Sequence, residues 1–96
     1  MIEICRMPDF GQWLDALQDR RAAARIEMRI DRLRLGNPGD VKPVGGGISE
    51  MRIDYGPGYR VYFLGRGSEL IILLCGGDQS TQASDIRAAH ALAHQE

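Results

Sequence analysis

A six-residue apolar run, Leu70-Ile71-Ile72-Leu73-Leu74-Cys75, lies between two turn-forming clusters, Gly65-Arg66-Gly67-Ser68 and Gly76-Gly77-Asp78-Gln79-Ser80. No other segment constrains the fold as much. The run is unbroken rather than alternating, and it is bounded on both sides, so it reads as a central strand buried on both faces. A chain of 96 residues can cover such a strand only inside a single domain, here residues 1–96, with helices outside a sheet.

The preceding segments supply the neighbours of that strand. In Ile48–Asp54, Met51 and Ile53 alternate with Arg52 and Asp54. Tyr55-Gly56-Pro57-Gly58 then turns the chain, and Tyr59–Leu64 returns with Arg60 and Tyr62 on one face. Residues 1–6, with Ile2 and Ile4 alternating against Glu3 and Cys5, predict a short first strand. Pro8-Asp9 opens a first helix to about residue 19, with Asp9 as N-cap, Gln12 completing a capping box, and Phe10, Trp13, Leu14 and Leu17 at helical spacing. Arg20 to Leu35 predicts a second helix whose apolar stripe is Ala22, Ile26, Ile30 and Leu33. Gly36-Asn37-Pro38-Gly39 stops it, and residues 36–47 read as a surface loop. A last helix carries Ile86, Ala89, Leu92 and Ala93, with Ser84 or Asp85 as its cap. The expected class is α+β, in the order β-α-α-β-β-β-α: two N-terminal helices on a twisted, mainly antiparallel four-stranded sheet, and a C-terminal helix.

Charge narrows the function classes. The formal net charge is −1 and the pI about 6.1, which argues against a general polyanion binder. The distribution is more informative. Eleven of the twelve cations are arginine, the side chain whose planar fork grips phosphate with two hydrogen bonds, and Lys42 is the only lysine. Six arginines fall between residues 20 and 34, and Arg21, Arg25, Arg29 and Arg32 form a stripe beside the apolar one, with Glu27 and Asp31 on the far side. Hydrophobic content of 44% belongs to a folded domain. No segment approaches the roughly 20 apolar residues of a membrane span, and acidic Glu3 stands where a signal peptide needs a basic end. A cytoplasmic protein with no membrane partner is expected.

Several chemistries find little support. Cys5 and Cys75 are seventy residues apart with no CxxC pair, so two reduced core thiols are expected. His90 and His94 stand at i, i+4 but lack an acidic HExxH framework, and solvated side chains are the simpler reading. Gly45–Gly47 form no P-loop, because no GK[ST] follows. No metal and no cofactor is expected. What remains is the meander set Arg52, Asp54, Arg60 and Tyr62, with Lys42 before it and the Asp78–Gln82 loop after it. Arg52 and Arg60 at matching parity repel unless an anion lies between them. Either Asp54 and Glu50 pair them on a solvated face, or they form a phosphate clamp over the sheet.

The segment VGGGISEMRIDYGPGYRVYF, followed by IILLCGGDQSTQASDI and an alanine-rich helix, resembles the HigB-like branch of the RelE/ParE toxin superfamily, the addiction-module killer proteins. FGQWLDAL and RIEMRIDRLRLGNPGD fit the same pattern, so the resemblance covers nearly the whole chain. It implies the toxin component of a bacterial type II toxin–antitoxin system: a metal-independent, ribosome-dependent mRNA endoribonuclease in which the 2′-hydroxyl attacks the adjacent phosphodiester. It implies a cognate antitoxin of the helix-turn-helix DNA-binding type, with the ribosome and mRNA as further partners and operator DNA reached only through the antitoxin. On this chain the implied catalytic positions are Arg52, Arg60, Tyr62 and Gln79. Lys42 and the stripe Arg21, Arg25, Arg29 and Arg32 are the implied RNA contacts. Relatives carry GGDK where this chain reads Gly76-Gly77-Asp78-Gln79, so Gln79 replaces the family lysine. No histidine is expected near the groove, and only Tyr62 or Asp54, with shifted pKa values, could act as general base. Two alternatives remain: a ParE-like, non-enzymatic inhibitor of DNA gyrase, and a catalytically silent relative acting through antitoxin binding.

Overall fold

The computed structural model describes all 96 residues. Its elements are β1 (Glu3–Arg6), α1 (Pro8–Ala16), α2 (Arg20–Arg34), β2 (Val41–Pro43), β3 (Ile48–Ile53), β4 (Tyr59–Arg66), β5 (Leu70–Asp78) and α3 (Gln82–Ala93), with a 3₁₀ turn at Gln79–Thr81. The strands form one sheet in the order β1-β5-β4-β3-β2. β1 runs parallel to β5, and every other pair is antiparallel. The α+β class and the mainly antiparallel sheet are as expected from the sequence.

The sheet has five strands rather than four. Val41, Lys42 and Pro43, read as loop, pair with Met51, Glu50 and Ser49 of β3. A proline so close by disguises such a strand, yet at a sheet edge its missing N–H costs nothing. The chain returns from β2 to β3 through Gly45, Gly46 and Gly47, all at positive φ (92°, 62° and 78°), a conformation side chains resist. That is the structural role of the glycine triplet.

Helix boundaries differ from expectation for local reasons. Pro8 occupies the first turn of α1 and Met7 precedes it with no side-chain cap, so Asp9 lies inside the helix and the Asp9/Gln12 box does not form. α1 ends at Ala16 because Asp19 already caps α2, accepting from the backbone N–H groups of Arg21 and Ala22. α3 starts before Ser84 and Asp85: Asp78 and Thr81 form a capping box around the 3₁₀ turn, and the helix follows directly.

Both faces of the sheet are covered. Phe10 and Leu14 of α1 and Ala22, Ile26, Ile30 and Leu33 of α2 pack with Met51, Ile53, Val61, Phe63, Ile71 and Leu73. Trp13 and Leu17 are partly buried against that core. On the other face, Ala89 and Leu92 of α3 pack with Ile48, Tyr62, Leu64, Ile72, Leu74 and Cys75. Residues 71–75 are all buried, as the apolar run predicts. β5 lies second from the sheet edge, and β4 is central.

A bulge breaks the alternation of β5. Tyr62 pairs with Cys75 and Phe63 with Leu73, so Leu74 has no partner, and Leu74 and Cys75 both enter the α3-side core. Beyond the bulge Gly76 faces α1, where a Cβ would stand 2.3 Å from the Trp13 ring. Gly77 faces α3, where a Cβ would meet the Asp85 carboxylate. The two glycines let a helix approach from each side. Of the two cysteines, only Cys75 is a core thiol; Cys5 is exposed on β1, at an edge of the sheet, which corrects the expectation of two.

Candidate functional site

Glu50, Arg52, Arg60 and Tyr62 alternate on the face of the sheet that α3 covers. Arg52 and Arg60 are directly opposed across β3 and β4, and Glu50 is opposed to Tyr62. The organising residue is Glu50. It is fully buried, the only charged residue that is, and four side chains converge on its carboxylate. Tyr62 Oη donates to Oε2 at 3.0 Å and Gln82 Nε2, from the first turn of α3, donates to the same oxygen at 2.9 Å. Arg52 Nε donates to Oε1 at 3.1 Å, and Arg60 Nε stands 3.8 Å from that oxygen.

These contacts decide the ionisation of the group. Burial pushes the Glu50 carboxyl up, but hydrogen bonds from Gln82, Arg52 and Tyr62, together with the Arg60 charge, outweigh it and hold the group below the usual carboxylate range. An ionised Glu50 between two guanidiniums leaves a net single positive charge. Arg52 turns its Nε inward, and its side chain is 34% exposed. The Arg60 side chain is only 13% exposed, with Nη1 donating to the Gly58 carbonyl. Its buried Nε has no hydrogen-bond acceptor within range, so it contributes charge to Glu50 rather than a hydrogen bond.

The remaining candidates distribute around this pair. Gln79 is exposed at the start of the 3₁₀ turn, and its side chain and Arg60 Nη1 converge over Gly58, within about 3.5 Å of where a Cβ there would lie. Lys42 is exposed on β2 with its Cα opposite Glu50, so it shares their face. Tyr62 does not fit the role of an accessible base: it is fully buried, and burial together with its bond to Glu50 raises its pKa well above the ordinary phenol value. Asp54 is exposed and lies among the α2 arginines, so Glu50 alone pairs Arg52 and Arg60, and that pairing is buried rather than solvated.

The α2 stripe is on the opposite face of the sheet, since α2 packs there through Ile26, Ile30 and Leu33. Arg25 covers the Tyr55 ring at 4.6 Å, and Arg29 donates to the carbonyls of Arg52, Pro38 and Asp40. Glu27, expected on the far side of α2, bridges to Arg6 of β1. His94 is exposed, whereas His90, expected to be solvated, is half-buried with Nε2 3.0 Å from the Val44 carbonyl. It ties the glycine turn to α3, two turns along the helix from Gln82.

Two members of the site, Glu50 as its centre and Gln82 as its support, exceed what the sequence reading assigned. Glu50 carries a visible signal, the same parity as Arg52 one step along a strand. Gln82 carries none, because its contact depends on where α3 begins.

No protein-family model matches the chain. It is 51% identical over 94 residues, 98% of its own length and 95% of the other's, to an uncharacterized protein of Haemophilus influenzae. The solution structure of the conserved hypothetical protein HP0894 of Helicobacter pylori superposes with a TM-score of 0.54 at 22% identity, over 83% of this chain and 97% of that one. This second likeness is one of fold.

Proposed function

The chain belongs to one family with that Haemophilus influenzae protein, and we propose that it is the toxin of a bacterial toxin–antitoxin pair, a HigB-like member of the RelE/ParE superfamily that cuts mRNA on the ribosome. The observation that carries this reading is the Arg52–Arg60 pair fixed by a buried carboxylate on one sheet face, with Gln79 beside it. A buried anion that restrains two guanidiniums is a costly way to decorate a surface. It is an effective way to preorganise charge where a phosphate is to sit.

In the proposed reaction the RNA 2′-oxygen bonds to the neighbouring phosphorus and the bond to the 5′-oxygen breaks. A 2′,3′-cyclic phosphate and a 5′-hydroxyl result. Arg52 and Arg60 stabilise the charge that grows on the non-bridging oxygens, and the Gln79 amide donates a hydrogen bond at the same centre. Glu50, with no exposed surface, acts by positioning the arginines. The 2′-proton leaves to water, the departing 5′-oxygen takes a proton from water, and Lys42 on the same face supplies a backbone phosphate contact. The antitoxin, the ribosome and the operator DNA bound through the antitoxin belong to this reading.

Gln79 favours a second reading. A chain without the family lysine keeps the clamp one charge short, and a relative that binds its antitoxin without cutting, or acts on gyrase in the ParE manner, would tolerate that loss. Primer extension on translated mRNA after induction separates the readings. Codon-bounded cuts that vanish with Arg60→Ala, in a variant that still folds, are the result expected. Gln79→Lys should raise cleavage about tenfold, or about 1.4 kcal/mol of barrier. An SOS response without cuts indicates gyrase, and no growth defect from either form indicates the silent relative.

A further inference from the structure

The opposite end of the β3–β4 pair from Arg52 and Arg60, where Ile48 faces Leu64, carries a second polar hollow. It holds about 500 Å³ and lies where the glycine turn before β3, the turn after β4 and the last turn of α3 meet. His90, His94 and Arg66 line it, over a floor of Ile48 and Leu64. The reaction proposed above uses none of these residues.

His90 is fixed in one orientation and one tautomer. Its Nε2 lies 3.0 Å from the Val44 carbonyl, which can only accept, so Nε2 carries the proton. In the neutral ring Nδ1 is then a free lone pair. That atom has no hydrogen-bond partner in the chain and is not buried. The ring edge faces Gly46, where a Cβ would crowd Nδ1 at 3.3 Å, and the missing side chain keeps the nitrogen open. His94 follows one turn on, held there by the bond from its backbone N–H to the His90 carbonyl at 3.3 Å. Side chains four residues apart on a helix are neighbours, and both imidazoles border the same hollow. A ring that donates one N–H to a backbone carbonyl and presents its other nitrogen as a base is arranged as metal-binding histidines are.

Three kinds of occupant can be weighed. An anion would meet the Nδ1 lone pair and the carbonyl end of α3, both of which repel it, and only Arg66 would attract it. An apolar ligand finds little to cover, because Ile48 and Leu64 are already buried. A divalent cation gains from both imidazoles and from the helix C-terminus. Arg66 opposes it weakly, since that side chain is exposed and its charge is screened by water. We propose that His90 and His94 form a two-imidazole site for a divalent cation of the zinc, nickel and copper class, the metals that nitrogen ligands select over magnesium and calcium. No third histidine, cysteine, aspartate or glutamate joins them, so water fills the other coordination positions. The inference rests on this hollow alone and stands whether or not the chain cuts RNA. Its effect is mechanical: a bound ion clips the last turn of α3, the helix whose first turn supplies Gln82 to Glu50.

The test uses the full chain without an affinity tag, carrying Cys5→Ser because an exposed thiol competes for the same metals. Titration calorimetry with zinc, nickel, copper(II), magnesium and calcium gives affinities, and backbone amide shifts with zinc map the site. One zinc per chain is expected, with shifts confined to residues 44–47, 65–67 and 90–96. Copper(II) should bind more tightly than nickel or zinc and show nitrogen hyperfine structure in its electron paramagnetic resonance spectrum, while magnesium and calcium should not bind. His94→Ala should weaken zinc by at least about tenfold, because a chelate becomes a single ligand. His90→Gln should do the same, although its amide still donates to the Val44 carbonyl, so loss of metal is separated from loss of that tie. Excess zinc should raise the melting temperature of the parent chain and of neither variant. Arg66→Gln should leave zinc binding intact or strengthen it by up to about threefold. Zinc binding that survives both histidine changes, shifts elsewhere on the molecule, or no binding at about 1 mM zinc would overturn the proposal. So would inorganic phosphate that moves the same amides more tightly than zinc and is lost with Arg66→Gln.

Discussion

Replacing Glu50 by glutamine removes one charge from the centre of the site and changes almost nothing in volume. Its carboxylate is fully buried, and removing one partner of a buried ion pair commonly costs about 3–5 kcal/mol, because the other charge is left stranded. Two features lower that figure here. Arg52 is a third exposed and can turn its fork to water, while Arg60, 13% exposed and tied to the Gly58 carbonyl, cannot. The glutamine oxygen can still accept from Tyr62 or from an arginine. A loss of about 2–4 kcal/mol follows, or a fall in melting temperature on the order of 10–25 °C for a domain of this size. Urea unfolding followed by circular dichroism should show a lower midpoint at an unchanged slope. The pH dependence gives the sharper result. The folded-state pKa of Glu50 lies below its ordinary 4.5, so its contribution is fully present above that value and is lost as the pH falls through the depressed one. The stability gap between wild type and Glu50→Gln should therefore be constant from pH 5 to 7 and shrink in stronger acid. A gap under about 1 kcal/mol, or one that widens on acidification, would refute the view that this carboxylate is ionised and organises the arginines.

Other outcomes follow from packing. Gly76→Ala places a methyl against the Trp13 ring, itself wedged between Phe10 and Tyr59, and should cost about 1–3 kcal/mol in urea unfolding. Gly77→Ala meets the end of the Asp85 side chain, which can swing away, and should cost less; the reverse ranking would mean that the strand faces are misassigned. Ile72→Ala, in the α3-side core at 5% exposure, should lower stability by about 2–5 kcal/mol. A thiol reagent at pH 8 should modify Cys5 at once and Cys75 only on unfolding, since burial pushes the Cys75 thiol up to about 12. Two equally fast thiols would contradict the burial of β5.

Most of the fold was legible in the sequence because hydrophobic period and turn chemistry agree over its longer elements. The unbroken run, buried over 71–75, and the stripe at 22, 26, 30 and 33 each describe a burial pattern that the structure repeats, and Met51 and Ile53 are buried on either side of half-buried Arg52 as their alternation implies. What escaped is short or depends on partners. Val41–Pro43 pairs only because β3 is there to receive it, and no local signal marks three residues that include a proline as a strand. Helix boundaries moved where a cap competes nearby: Asp19, by capping α2, ends α1 at Ala16, and Asp78 caps the turn that starts α3 before Ser84. At the site, parity placed Arg52, Arg60 and Tyr62 together, but parity cannot tell which member of a face is buried. That is settled by α3, which closes over Tyr62 and Glu50 and leaves Arg52 at the rim.

The bulge at Leu74 has a consequence for how such chains can diverge. It is a phase shift in a two-state alternation: upstream of it even-numbered residues of β5 face α3, and downstream odd-numbered ones do. The apolar core fixes the first phase, and the two glycines tolerate the second only because neither carries a side chain. Which side of the sheet the segment beyond residue 76 addresses is therefore set by the number of residues before it, not by their kind. Gaining or losing one residue at this point would reverse the faces of Gly76, Gly77 and Asp78 while every arginine of β3 and β4 stayed in place. Strand length at a single bulge thus determines which chemistry the end of β5 can join, and two relatives with the same side chains could differ in function through that count alone.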